Sequence, residues 1–194
     1  MRRDTSGGRP WAAARAALWL CLLAACATGG LARAQVGPAD SASLHLTVSL
    51  PGRPPAPAPE WETLLYVTVE LGETEIMTQT LTCDQVGAWT LEGLSSGSAA
   101  IRVRGANTLT NLREGLALSP GLNLAYMGRL RAGDLNQDEA VDVVDFSLFR
   151  ARFATADPLA DLDNSGWVDI ADFALLRTSF GLRGPVRLTG DERP

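Results

Sequence analysis

The 194-residue sequence has no lysine and very little histidine or cysteine. All 17 basic residues are arginines, His45 is the one histidine, and two of the three cysteines, Cys21 and Cys26, lie in the first 34 residues. If that leader is removed, Cys83 alone remains and an intrachain disulfide is excluded. A single histidine in an alternating strand pattern also argues against a catalytic site built on paired histidine and cysteine side chains.

Long hydrophobic runs are also missing. No segment after the leader approaches the ~18–20 apolar residues that a transmembrane helix needs. Residues 1–34 indicate an export signal, because arginines precede a short apolar run at 16–25. Ala-Arg-Ala at 32–34 fits ordinary cleavage before Gln35, whereas Leu-Ala-Ala-Cys at 23–26 resembles a lipobox in which Cys26 carries a lipid anchor. Both remain open, and we expect a secreted protein or a cell-surface lipoprotein.

Basic residues are scarce in the rest of the chain. Removing the leader takes away five of the 17 arginines and one of the 22 acids, so the formal net charge moves from −5 to −9. Ten of the remaining acids lie between Asp134 and Asp172, where Arg150 and Arg152 are the only basic residues. This acidic block argues against a nucleic-acid partner and favours a hard cation.

Apolar periodicity divides the chain after the leader into four segments. Residues 35–43 are expected to be a flexible start, and residues 44–131 carry short runs with period two, separated by Gly, Asn and Ser at roughly ten-residue intervals. This pattern predicts an all-β sandwich of about seven strands. Residues 132–182 predict a small all-α domain, and residues 183–194 are expected to be a flexible tail.

One segment of the β region, residues 91–104, has a sequence similar to that of a known family. Leu-Glu-Gly-Leu-Ser-Ser-Gly at 91–97 is followed by an alternating run at 100–104. This segment resembles the corner and strand of transthyretin-like or carboxypeptidase-regulatory-like sandwiches, which have an immunoglobulin-like layout. The resemblance implies a fold and no activity.

The β region offers no recognisable reaction centre. It lacks a nucleophile elbow, a phosphate-binding glycine loop and a His/Cys pair, so we expect no enzyme. Two other hypotheses stay open. A glycoside hydrolase fragment would need a carboxylate pair in a cleft, and none can be nominated. A carbohydrate-binding module acting on polysaccharide would use Trp61 and Trp89 as a stacking platform.

The acidic block contains two twelve-residue repeats that start 27 residues apart, at Asp134 and Asp161. Calcium takes six to eight oxygen ligands, and a loop supplies them from positions 1, 3, 5, 7, 9 and 12, with position 7 using its backbone carbonyl. The spacing predicts two Ca²⁺ ions. The predicted ligands are Asp134, Asn136, Asp138, Ala140, Asp142 and Asp145 in the first loop, and Asp161, Asp163, Ser165, Trp167, Asp169 and Asp172 in the second.

These repeats differ from most EF-hands in three ways. Position 12 is Asp rather than Glu, a Phe follows it (Phe146 and Phe173), and one helix follows each loop. With these features, residues 133–181 resemble a type I dockerin. The resemblance implies helices from Val143 to Phe153 and from Ile170 to Phe180, with apolar stripes at i, i+3 and i+7. It also implies that Val141 and Val168, at position 8, join the two loops.

Dockerins dock onto cohesin domains, and the resemblance implies where this chain would do so. The partner-reading positions correspond to Val143, Val144, Arg150, Ile170, Ala171 and Arg177. Because residues 129–133 contain no flexible spacer, the predicted partner is either a cohesin-like domain or the chain's own β-sandwich. Glu139 stands where the first loop usually has Gly, which predicts a weaker first site.

Overall fold

A computed structural model describes residues 41–72 and 75–189, and the predicted leader lies outside them. The strands are β1 (Ser41–Ser49), β2 (Leu64–Leu71), β3 (Glu75–Thr82), β4 (Ala88–Ser95), β5 (Gly97–Gly105), β6 (Asn111–Leu118), β7 (Gly121–Arg129) and β8 (Val186–Arg187). The helices are α1 (Val143–Arg152) and α2 (Ile170–Ser179), and a 3-10 turn spans Pro59–Trp61. Within this part of the chain, no helix has the length and apolar character needed to cross a membrane.

The strands form two facing sheets. The smaller sheet has the order β4-β1-β7 and the larger has the order β3-β2-β5-β6-β8. Every second residue of β1 and of β2 is buried, as an alternating sequence requires when one face of each strand is turned inward. These inward rows share one hydrophobic core. The predicted β-sandwich is confirmed.

The sandwich extends further at both ends than the sequence indicated. β1 begins at Ser41, within the segment expected to be flexible, and buried Ala42 is paired with Leu94 and Gly121. Residues 183–189 are not a loose tail either, because β8 adds a strand in parallel to β6. The backbone N–H of Val186 donates to Thr110 O at 2.7 Å. Residues 190–194 lie outside the described part.

The two predicted helices are present, and each begins with a capping box. Asp142 and Asp169 are the N-caps, and each exchanges hydrogen bonds with the Asp three residues later. Both helices end one residue earlier than predicted. We refer to residues 132–182 as the loop–helix pair, to residues 134–145 as loop 1 and to residues 161–172 as loop 2.

A second core lies inside the loop–helix pair. Phe149 and Leu176, the central members of the two predicted apolar stripes, are buried in it. Phe146 and Phe173 pack against it with their ring centroids 6.1 Å apart. The last members, Phe153 and Phe180, are 47% and 53% exposed because each is the C-cap residue beyond the final turn.

The chain enters the loop–helix pair without a flexible connection. Leu130 N–H donates to Ser49 O at 3.0 Å, and Gly133 N–H donates to Asn107 O at 2.8 Å. Leu109, from the segment between β5 and β6, is fully buried in the second core. The sandwich therefore supplies part of the core on which the loops and helices rest.

Candidate metal centre

Loop 1 and loop 2 are each folded around the carboxylate at position 12. In loop 1, Asp145 accepts hydrogen bonds from the backbone N–H groups of residues 135 and 142, both at 2.8 Å. In loop 2, Asp172 accepts the equivalent bonds from residues 162 and 169, at 2.6 and 2.8 Å. A single carboxylate thus holds both ends of its loop together, which is why an Asp at this position suits a tight loop.

The carboxylate at position 1 holds the middle of each loop. Asp134 accepts from the N–H groups of residues 138 and 139, at 3.1 and 3.2 Å. Asp161 accepts from those of residues 165 and 166, at 3.0 and 2.7 Å. Two separate segments of the sequence therefore reproduce one hydrogen-bond pattern.

These four carboxylates are buried without a salt-bridge partner. Asp134, Asp145 and Asp172 are 1% exposed or less and Asp161 is 8% exposed, and none of them forms an ion pair within residues 41–72 and 75–189. Burial raises the pKa of the Asp134 and Asp172 carboxyls. Buried carboxylates without an ion-pair partner are costly, and a bound cation offsets this cost.

Loop 2 brings its carboxylates closest together. Oxygens of Asp161, Asp163 and Asp172 lie within 4.8 Å of one another. In loop 1 the residue at position 3 is Asn136, and its amide donates to Asp138 Oδ2 at 2.8 Å. Oxygen-only donors at this spacing are suited to a hard cation such as Ca²⁺, so the residues present fit that ion.

The other predicted ligands lie at the rim of each loop. Asp142 and Asp169, at position 9, accept from the N–H groups of residues 144 and 171 and so begin the two helices. Ser165 Oγ donates to the backbone carbonyl of Trp167 at 3.3 Å, which puts the oxygens of positions 5 and 7 side by side. Ala140 is buried and its backbone is bridged to Arg183.

The backbone is left-handed at the same two positions of each loop. In loop 1, Gln137 and Glu139 both have φ = +62°, and in loop 2, Asn164 and Gly166 have φ = +57° and +92°. Glu139 therefore adopts the glycine-like conformation that its position predicts. The contact made by its side chain could not be predicted from the local sequence. Its carboxylate accepts from the backbone N–H of Thr110 at 3.1 Å and from the Thr110 hydroxyl, which joins loop 1 to the sandwich.

The valines at position 8 are fully buried in the second core. Both belong to one cluster of buried side chains, and their backbones bond to other segments. Val141 exchanges hydrogen bonds with Gly181 and Leu182, after α2, and Val168 exchanges them with Ala154 and Thr155, after α1. Each loop is therefore bonded to the segment that follows the other loop's helix.

The partner-reading residues that the resemblance implies lie on the outer surface of the pair. Val143, Val144 and Ile170 are 64%, 48% and 68% exposed, which contradicts a role in local packing alone. Arg150, Ala171 and Arg177 are exposed as well. A shallow apolar groove beside them is lined by Phe146, Phe149, Arg150, Phe153, Ile170 and Phe173.

The tryptophan platform considered as an alternative from the sequence is not formed. Trp89 is 7% exposed and belongs to the sandwich core. Trp61 packs against that core, and its indole N–H donates to Pro54 O at 2.8 Å. Cys83, also buried, donates to Trp61 O at 3.1 Å, and burial raises the pKa of its thiol. Both findings indicate structural roles for these side chains.

Loop 2 contacts a sandwich loop that the sequence analysis did not connect with it. The Asn164 amide donates to Glu60 O at 3.1 Å. A Cβ atom on Gly52 would lie 2.8 Å from Asp163 Cβ and 2.7 Å from Leu175 Cδ1, so only a glycine fits there. Arg53 follows immediately and is partly buried. The local sequence pattern does not predict this contact.

No family model and no curated protein matches the chain. Among solved structures, the chain is similar to a chain from a type II cohesin–X–dockerin complex of Acetivibrio cellulolyticus that carries a mutated C-terminal interface. That match has a TM-score of 0.58 and 18% identity, and it covers 73% of this chain and 97% of the other. A second such complex, mutated at its N-terminal interface, matches with a TM-score of 0.53, 17% identity and the same coverages. At these identities the likeness establishes a shared fold.

Proposed function

We propose that this is an exported, non-catalytic protein whose loop–helix pair is a calcium-binding docking module of the dockerin type. The observation that carries the proposal is the hydrogen-bond pattern that both loops share around buried carboxylates. Hydrogen bonds to the backbone orient those oxygens but do not neutralise their charge, and a divalent cation in each loop would do so.

The proposed partner is a cohesin-type domain, and two observations support it. The apolar residues Val143, Val144 and Ile170 are exposed while the pair is in contact with the sandwich, so that contact leaves them accessible. The similar structures come from cohesin–X–dockerin complexes. The predicted sandwich at 44–131 is 88 of the 194 residues, and the match covers 73% of the chain.

This proposal includes both predicted docking modes, one onto the chain's own sandwich and one onto a cohesin-type domain. The contacts through Glu139, Asn164 and Leu109 fix the pair against its own sandwich. The faces that carry Val143 and Ile170 are then presented outward for a second protein. The protein would act as a small adaptor at the cell surface or outside the cell.

The calcium proposal is tested on the full chain, because β8 belongs to the sandwich sheet and a fragment that ends before it would be incomplete. After chelation, calcium is added during isothermal titration calorimetry and thermal unfolding. We expect about two ions to bind per chain. At 100 times the dissociation constant each site would stabilise the fold by about 2.7 kcal/mol.

Asp172→Asn removes the charge of the central loop 2 carboxylate at nearly constant shape. We expect this variant to bind one ion instead of two. Glu92→Gln, at an exposed strand position far from both loops in sequence, is the matched control and should bind two. The absence of both binding heat and thermal stabilisation at millimolar calcium would overturn the proposal.

A further inference from the structure

The guanidinium of Arg53 lies in the sandwich loop that contacts loop 2. Arg53 lies in the loop that connects β1 to the 3-10 turn, directly after Gly52, whose backbone rests on Asp163. The guanidinium Nε and Nη1 atoms are enclosed and have no hydrogen-bond partner among the described residues. Enclosed guanidinium nitrogens with unused donors are costly unless negative charge is near.

The nearby negative charge is that of the loop 2 carboxylates. Burial lowers the pKa of Arg53, while Asp161, Asp163 and Asp172 act in the opposite direction and favour its charged form. These are the three carboxylates whose oxygens converge in loop 2. Arg53 and a metal ion in loop 2 are therefore two cations that respond to the same acidic group.

The geometry points to Arg53 as the residue through which the sandwich lowers the affinity of loop 2 for a divalent cation. This inference rests on the proposed function, because it requires calcium to bind there. Each loop has four carboxylates among its predicted ligands, so ligand charge does not distinguish the two sites. The sandwich contacts of loop 1 run through the side chains of Glu139 and Gln137, not through an enclosed arginine.

Arg53 would act by charge and not by coordination. A divalent ion and a fixed positive charge repel each other, and at the dielectric of water a separation of about 6–8 Å would change the affinity by about five- to tenfold. Binding and docking are reciprocally linked, so a cation in loop 2 would weaken the attraction between Arg53 and the loop by the same factor. Arg53 would thereby hold loop 2 on the sandwich most firmly at low calcium.

Terbium(III) luminescence on the full chain isolates loop 2. Position 7 is Trp167 in loop 2 and Ala140 in loop 1, so indole-sensitised emission reports the second site, and Trp167→Phe should remove it. Displacement of terbium by calcium then gives the calcium affinity of loop 2. Arg53→Gln and Arg53→Met, which keeps the apolar stem, should each bind calcium about five- to tenfold more tightly than the wild type.

Two controls separate charge from packing. Arg53→Lys keeps the positive charge and should retain the wild-type affinity. Arg104→Gln removes a sandwich arginine that contacts loop 1 at Gln137 and should leave the loop 2 affinity unchanged. Equal affinities for the wild type, Arg53→Gln and Arg53→Met, or an increase that Arg53→Lys shares, would overturn the inference. A wild-type protein that binds neither terbium nor calcium would overturn the proposed function itself.

Discussion

Glu139 combines an unfavourable backbone with a favourable side-chain contact. Its φ of +62° costs a non-glycine residue roughly 1 kcal/mol, while its carboxylate binds the N–H and hydroxyl of nearly buried Thr110. A sequence comparison with calcium loops finds the missing glycine but not the compensation, because Thr110 lies 29 residues away. The residue type at this position is explained by the sandwich and not by the loop.

Substitution at this position separates the two effects. Glu139→Ala keeps the left-handed strain and leaves the Thr110 groups without their acceptor, so we expect a loss of about 1–3 kcal/mol in the free energy of unfolding. Glu139→Gly loses the same contact but relieves the strain, and it should be less destabilised than Glu139→Ala by about 1 kcal/mol. Urea denaturation measures both, with Glu92→Ala as an exposed control. The reverse order of the two variants would contradict this account.

Among the elements, the helices could be predicted and β8 could not. Val143 and Ile170 begin their helices because Asp142 and Asp169 cap them, and a cap followed by apolar periodicity is readable in a sequence. The two-residue β8 has no period of its own. It forms because the edge of β6 is available for pairing. The contact of the Gly52 loop with Asp163 likewise depends on a partner more than 100 residues away in the sequence.

The pairing of β8 with β6 should contribute measurably to stability. Val186→Pro removes the N–H that donates to Thr110 O, and we expect a loss of about 1–2 kcal/mol in the free energy of unfolding. Trypsin should then cut after Arg183 and Arg187 faster than in the wild type. Arg187→Ala changes only an exposed side chain that is paired with Glu114, and it should shift stability by less than about 1 kcal/mol. Unchanged stability in Val186→Pro would show that β8 pairing is dispensable.

For the molecule as a whole, docking and folding are expected to depend on different residues. Val143→Gln and Ile170→Gln alter exposed side chains, so thermal unfolding should change little in either variant or in the double variant. If the two helices present equivalent faces, binding to a set of type I and type II cohesin domains should survive each single change and be lost in the double. Calorimetry measures the binding.

Leu122→Gln is the matched control for the docking experiment, because Leu122 is an apolar residue on β7 with 67% exposure. It should leave cohesin binding intact. A double variant that binds as the wild type does would place the docking surface elsewhere on the molecule.

The loop–helix pair is attached to the sandwich at both of its ends. The chain leaves β7 through Leu130, which is bonded to β1, and returns from α2 to β8, which is bonded to β6. A mechanical force applied to the outward helix faces would therefore be transmitted to both sheets and not to a single connecting peptide. The loop–helix pair is therefore anchored at two points. A protein bound to its outer helix faces would also fix the orientation of the whole sandwich.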